Sequence, residues 1–506
     1  MSPVIEPGTS KVQDDDVKQL QSMGYKQELA RRMGGFSNFA ISFSIICILA
    51  GGISAFNQGI GAGGGASIGI GWLVGSVFAL IVAAAMAQIA SSYPTAGGLY
   101  HWSSTLGGRG FGWMTAWFNL LGLVFVVASV NAAVYDPFFK TLIAPLLGIP
   151  DSMMTPTIKI SDSWEINIFS TGFIALVTFS QAWLNHMGIK ITTKLTDISG
   201  YLIFAITVVL IVSLIATSSV PLDFSRLFTF TNFSGTEGSV WPQNSNGMLV
   251  FLSGLLLTVY TITGFDASAH TSEETSQASR NVPKGIVKSV LWSGLFGYFL
   301  VCTFVLVMPS VEDGVKQGMG FFGALMAPIP TALRVTLGLG IFFVNYLCGL
   351  ACLTSCSRMM YAFARDGGLP ASDKLKRVNA THSTPGTAIW TSAVLAIVAT
   401  LYGNAFVVLS TGCAVFLYLS YVLPVAAGIL AEGKTWTHKG PFDLGVWSKP
   451  VAILAVVGGS ILAVVGMLPP NDKVLYLTIG LLVGMAIYWW VLGERNRFKG
   501  PPKVQD

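Results

Sequence analysis

Charge is scarce in this chain. Asp, Glu, Lys and Arg make up 10% of its 506 residues, against roughly 25% in a soluble domain. Hydrophobic residues make up 52%, and mean hydropathy is +0.65. The shortage excludes an ordinary soluble globule and points to a polytopic membrane protein. The net charge of +5 is ordinary for such a protein and gives no argument for nucleic acid. Cysteine is scarce too, and all six lie in apolar runs, which excludes a disulfide framework. Cys348, Cys352 and Cys356 share one helix face. Small residues at that spacing mark close helix packing, so no metal is assigned. The five histidines, at 101, 186, 270, 382 and 438, fall near run ends or between runs. None has the Ser or Asp partner spacing of a hydrolase, so the chain is not read as an enzyme. With no Gly-rich nucleotide loop and no zinc spacing, no cofactor is expected. The first 35 residues are polar and carry no secretory signal. They read as a cytoplasmic tail, 1–35, disordered up to about Gln21.

Long apolar runs, by contrast, are abundant. Twelve are long enough to span a bilayer, at about 36–61, 68–91, 111–140, 166–186, 195–217, 247–268, 286–309, 334–364, 386–402, 405–430, 450–468 and 474–492. The third and eighth are long enough to require tilt or extension past the bilayer. A tight turn at 402–404 splits the ninth from the tenth. An even count puts both termini on one side. With the termini inside, the inner segments hold 23 Lys and Arg and the outer ones six. By the positive-inside rule both termini are cytoplasmic, in a multi-pass protein expected in the plasma membrane.

The sixth run ends unusually, in Y-T-I-T-G-F-D-A-S-A-H-T-S-E-E-T from Tyr260 to Thr275. A carboxylate at membrane depth costs about 2.5–3.5 kcal/mol on insertion scales, yet Asp266 follows Gly264 directly after an apolar stretch. Broken helices are tolerated at that depth only where they line protein or water. The stretch therefore reads as half of a substrate site on a discontinuous helix. A plainer alternative exists. A straight helix from Gly247 crosses ~30 Å in ~20 residues, which would leave Asp266 at the inner water boundary. The first run has an interruption of its own, Ala50-Gly51-Gly52-Ile53-Ser54, followed by a Gly-rich outer loop from Gly59 to Gly65. Each of two adjacent glycines costs about 1 kcal/mol in a helix interior. Glycine-mediated packing is the alternative there. Runs one and six lie five spans apart, and interruptions at corresponding positions of two halves mark an inverted-repeat binding site.

Two further segments fall on the inner side. Ala90 to Trp102 contains Pro94 and Gly97-Gly98, a helix stop and a sharp turn, and reads as a re-entrant or interfacial loop sealing that face. Ser357 to Pro370 ends in Arg365 and Asp366, an expected ion pair worth ~0–1 kcal/mol.

Together these segments resemble the amino acid–polyamine–organocation superfamily of permeases. Y-P-T-A-G-G-L-Y-H-W at 93–102 and G-F-D-A-S-A-H-T-S-E-E-T at 264–275 are similar to signatures of its amino acid/choline branch, which includes GABA permeases. S-R-M-M-Y-A-F-A-R-D-G-G-L-P at 357–370 resembles the superfamily's helix 8 signature. The resemblance runs from about Leu29 to Arg497. It implies an all-α, leucine-transporter-like fold of 12 transmembrane helices. Helices 1–5 (36–217) and 6–10 (247–430) would be inverted repeats, followed by helices 11–12 (450–492) and a cytoplasmic tail (493–506). Substrate would be held at the unwound parts of helices 1 and 6, with Thr263 to Asp266 near mid-membrane.

Two positions depart from relatives: Ala50-Gly51-Gly52 stands where many carry G-[ST]-G, and Ile203 stands where cationic-type relatives carry a lysine.

The function so implied is secondary active transport of an amino acid or related amine such as GABA, by alternating access. Main-chain N–H groups at Gly51, Gly52 and Ile53, beside Ala50, would take a carboxylate at a half-helix N-terminus. Carbonyls near Thr263 and Gly264 with the Asp266 side chain would take the ammonium, and Phe265 would gate the substrate. Asp266 is equally readable as the carrier of a coupling proton. Proton-coupled import is the favoured form. Sodium is the alternative, with Thr354 and Ser355 as oxygen ligands. Exchange, choline or polyamine transport, a channel and a nutrient sensor are the remaining alternatives.

Overall fold

The computed structural model describes residues 7–161, 164–402 and 406–502. Each of the twelve apolar runs carries a helix, and the helices pack around one large apolar core. Among the described residues, nine helical spans are long and apolar enough to cross a membrane, including Arg109–Ile143 and Thr331–Arg365 at 35 residues each. The runs at 247–268 and 386–402 form shorter apolar helices, Gly247–Thr261 and Gly386–Leu401. The run at 166–186 forms Ile168–His186, made less apolar by Gln181 and Asn185. Gly403 and Asn404 of the expected turn lie outside the described residues.

The amino-terminal segment is not the disordered tail expected. It forms α1 (Pro7–Ser22), and Asp16, Leu20, Met23, Tyr25, Leu29 and Met33 are buried against the bundle. The first apolar run is three helices, α2 (Gly35–Ile46), α3 (Ile48–Ser54) and α4 (Phe56–Gly63). The expected Gly-rich loop is therefore mostly helix, turning at Gly64 with φ +63°. Next come α5 (Gly65–Ser92), α6 (Gly98–Gly107) and α7 (Arg109–Ala133), the last running on as a π-helical segment to Ile143. A hairpin of β1 (Thr157–Ser161) and β2 (Trp164–Asn167), paired antiparallel, precedes α8 (Ile168–His186) and α9 (Ile189–Ala216).

The sixth run is divided in the same manner as the first, into α10 (Gly247–Gly254), α11 (Leu256–Thr261) and the short α12 (Ala267–His270). Then follow α13 (Ala278–Val307), α14 (Thr331–Arg365), α15 (Gly386–Tyr402), α16 (Phe406–Ala431), α17 (Ser448–Val465) and α18 (Asp472–Ala486). The start of α7 meets the carboxy-terminal segment, Arg109 donating to the Phe498 carbonyl at 3.4 Å. Gly24 lies against Pro502, so the amino- and carboxy-terminal segments share one face, the terminal face. The far end of α7 and the hairpin lie on the other.

Candidate functional site

The breaks in the first and sixth runs face each other. In the first run the break is at Cys47, whose φ of 18° and ψ of 84° separate α2 from α3. That corrects the expected position. Ala50, Gly51, Gly52 and Ile53 are helical, and the Gly51 N–H is spent on the Cys47 carbonyl at 3.0 Å. In the sixth run the break covers Ile262 to Asp266, where expected, with Gly264 at φ +87°. Only glycine suits that position, because a side chain there would also run into Ile45.

Backbone groups freed by a break must find partners away from water. The Gly264 N–H donates to the Tyr421 hydroxyl at 3.1 Å. The Phe265 carbonyl accepts from Ser42 at 2.9 Å, and the Ile262 carbonyl from Tyr418 at 3.3 Å.

Between the breaks lies a small cavity of about 10 Å³, lined by Ile45, Ala50, Gly51, Tyr260, Thr261 and Thr263 among others. That is room for at most one water, so helices must part to admit a larger guest. A second cavity of about 570 Å³ opens at the far end of α7, with Asn57, Asp136, Lys140 and Glu165 in its wall. The larger cavity is not between the breaks. Ser54 and Ala133 line both, so the two cavities are neighbours.

Asp266 does not line the cavity. Its side chain is fully buried and held by three side chains. Tyr421 donates to Oδ1 at 2.8 Å, Asn119 donates to Oδ2 at 3.0 Å, and His270 Nε2 lies 3.1 Å from Oδ2. His270 Nδ1 sits 3.2 Å from the Ala96 carbonyl.

On the terminal face the bundle is closed by charge pairs and by the amino-terminal segment. Arg365 lies beside Glu273, with Nη1 and Nη2 at 3.0 Å from its two carboxylate oxygens. The expected Arg365–Asp366 pair is not formed. Asp366 instead accepts from Tyr25 at 2.7 Å and from Tyr100 at 2.9 Å. Asp366 lies beyond the end of α14, and burial pushes its carboxyl above the usual range, opposed by the nearby Arg365. Residues 27–33 run alongside 272–276. The N–H groups of Arg32 and Met33 donate to the Glu274 carbonyl at 2.9 and 2.8 Å, and Gln27 donates to the Glu273 carbonyl at 2.8 Å. Asp16 accepts from the N–H groups of Gln277 and Ala278 at 2.7 and 3.1 Å. It thereby satisfies donors left free at the start of α13.

A sequence profile described as amino acid permease matches residues 33–492. The chain belongs to the amino acid permease family. It is similar to amino-acid permease BAT1 of Arabidopsis thaliana, 31% identical across 97% of both chains. The corresponding BAT1 homolog of Oryza sativa is 33% identical over 95% of this chain and 94% of its own. The GABA-specific permease of Saccharomyces cerevisiae is 28% identical over 90% and 79%.

The permease brings together some of the residues singled out from sequence and separates others. Ala50, Gly51 and Thr263 share the small cavity. Gly52 faces α13, where an added Cβ would lie 3.5 Å from Val301. Ile53 is buried outside the cavity lining, and Phe265 packs on Tyr421 with ring centroids 4.8 Å apart. Thr354 donates its hydroxyl to Asn185 at 2.7 Å, while the Ser355 hydroxyl finds no partner among the described residues. The Asn119, His270 and Tyr421 contacts escaped the sequence reading. The i, i+4 spacing of Asp266 and His270 was the one available signal. Asn119 and Tyr421 come from distant helices and carry none.

Proposed function

We propose that this permease imports an amino acid or a related amine such as GABA by proton-coupled alternating access. The observation that carries the reading is the small cavity between two facing helix breaks, with a larger cavity beside it on one side and the buried charge pairs of the terminal face on the other. The substrate carboxylate would approach the half-helix end after Cys47, beside Ala50 and Gly51. Its ammonium would meet carbonyls around Thr263 and Gly264, with Phe265 moving as the gate. Asp266 would serve coupling rather than direct contact, since its partners are Asn119, His270 and Tyr421. In this reading the chain spans the plasma membrane twelve times, in two inverted repeats plus two helices. The terminal face is cytoplasmic, which the 23-to-six distribution of Lys and Arg supports.

The sodium-coupled reading rests on the Ser355 hydroxyl, which has no partner among the described residues. Beside it, the Thr354 hydroxyl donates to Asn185 and to the Leu350 carbonyl, which leaves its oxygen lone pairs available to a cation.

The deciding experiment is uptake into proteoliposomes with a competition panel of GABA, choline, neutral and cationic amino acids. Saturable uptake of an amino acid driven by an inward proton gradient is expected. Uptake of none of the panel would overturn the functional reading. Accumulation that follows sodium and ignores pH would overturn the coupling.

A further inference from the structure

The hydrogen bonds around Asp266 leave one hydrogen to be accounted for. The Tyr421 oxygen accepts from the Gly264 N–H, so its own hydrogen is free for Asp266 Oδ1. Ser420 gives its hydrogen to the Leu417 carbonyl at 2.7 Å, so its oxygen accepts from Asn119 at 3.1 Å. That assigns the Asn119 atom facing Asp266 as the amide nitrogen, a donor. The Ala96 carbonyl can only accept, so His270 Nδ1 carries a hydrogen toward it. Every donor is then committed except across the 3.1 Å between His270 Nε2 and Asp266 Oδ2. Without a hydrogen there, a nitrogen lone pair and a carboxylate oxygen would face each other, both fully buried. With one hydrogen the Asp266–His270 contact is satisfied, whether it rests on oxygen or on nitrogen, while Asn119 Oδ1 stays without a partner among the described residues.

We infer that Asp266 and His270 form a one-proton site that carries the coupling proton, and that the Ala96 loop controls its release to the terminal face. This rests on the proton-coupled reading above. The control follows from the connections. Ala96 accepts from His270 through its carbonyl, and its N–H donates to Glu273 Oε1 at 3.1 Å, while Glu273 pairs with Arg365. Opening the terminal face separates Glu273 from Arg365 and draws Ala96 away. His270 then loses the acceptor that fixes its tautomer, the imidazole meets water, and the proton passes from the pair to that water. The pair changes from net neutral to one negative charge. At the other end the same network holds the Gly264 N–H through Tyr421, so the filled site and the unwound backbone are one connected unit. The other titratable groups facing the pair are Tyr421 and Cys413 of α16, with Glu273 beyond Ala96. None of these is a second carboxylate or imidazole in contact with the pair.

The test counts protons per amino acid. Liposomes holding a trapped pH-sensitive dye receive labelled GABA, with labelled alanine in parallel, and proton entry is divided by label entry. About one proton per amino acid is expected for the natural protein. His270→Gln and Asp266→Asn should each lower the ratio at least fivefold, whatever label flux remains. Where either single variant fails to elute as a single species, Asp266→Asn/His270→Gln restores a neutral donor–acceptor pair in the same place. It should fold and show the low ratio. A ratio unchanged in the folded variants overturns this inference alone. A natural protein that moves label without protons overturns the coupling reading with it, and one that moves no member of the competition panel overturns the proposed function.

Discussion

Arg358 and Glu274 meet with both side chains fully buried, Nε 3.2 Å from Oε2 and Nη2 3.1 Å from Oε1. A paired charge inside a protein is close to neutral in net stability, but removing one partner strands the other, at about 3–5 kcal/mol. Arg358→Met should therefore destabilise strongly, and Glu274→Gln in the same background should recover most of the loss. Glu274 lies outside the spanning helices, and burial already pushes its carboxyl upward, with Arg358 opposing. Without Arg358 it takes up a proton more readily in the folded state than in the unfolded. The defect of Arg358→Met should thus shrink as pH falls. Thermal unfolding in detergent across pH measures both effects, and a pH-independent defect would contradict the assignment.

Gly51 and Gly52 should behave differently despite being neighbours. A Cβ at Gly51 would lie 2.8 Å from Thr261 Oγ1 and 3.0 Å from its Cα, whereas one at Gly52 meets Val301 at an ordinary 3.5 Å. Gly51→Ala is expected to cost ~1–3 kcal/mol through overpacking and to impair transport by wedging α3 from α11. Gly52→Ala should be neutral or slightly stabilising, since Ala is the better helix former by about 1 kcal/mol. Equal effects on uptake would remove the close approach of α3 and α11 from the mechanism.

Thr95 is wholly buried beneath the terminal-face seal. A single cysteine there, in a background without the native six, should react with impermeant reagents from the cytoplasmic side only, and slowly. Asp16→Ala removes the acceptor for the Gln277 and Ala278 N–H groups, a loss of ~1 kcal/mol by analogy with helix caps. It should raise that labelling rate severalfold. Labelling from the outer side would reverse the proposed orientation.

His101, in α6 and outside the spanning helices, is fully buried, and neither ring nitrogen finds a partner among the described residues. It lies against the rings of Tyr25 and Tyr93, at 5.8 and 6.2 Å. Burial, with Arg365 adding to it, pushes its pKa down from 6.5 to about 3. Between those values the unfolded chain binds a proton that the folded one refuses, so stability falls as pH drops from 6.5 toward 3. His101→Phe should flatten that acid-side loss and, by removing unpaired buried nitrogens, gain on the order of 1 kcal/mol near neutrality. An unchanged acid slope would show that the imidazole is protonated or solvated in the folded protein.

Much of the helical layout was legible because bilayer-length apolar runs are a long-range signal that needs no partner. The break at Gly264 was legible too, since a glycine and a carboxylate two residues apart in an apolar run both disfavour a continuous, lipid-facing helix. The break at Cys47 was not. Cysteine has no bias toward broken backbone, and the glycines four and five residues later are the stronger local signal. Those glycines report a different constraint, the approach of Thr261 to Gly51. The order in residues 16–33 was hidden for another reason. A polar segment gives no sign of folding when its partners are main-chain groups 240 residues or more away, as for Arg31 with Ser272 and Gln27 with Glu273.

Gly24 lies against Pro502 so closely that a side chain would collide there, and Phe498 rests on the rings of Tyr100 and Phe363. The two ends of the chain thus knot together over the same seal. Tyr25, next to Gly24, holds Asp366, and Tyr100 holds it from the other side. Whatever is hung on either end becomes a weight on one latch. In the proposed transport cycle, an affinity handle, a fluorescent fusion or a cellular factor gripping a tail would shift the balance between open and shut, and versions of the protein that differ only in tag position should be compared as though they were mutants.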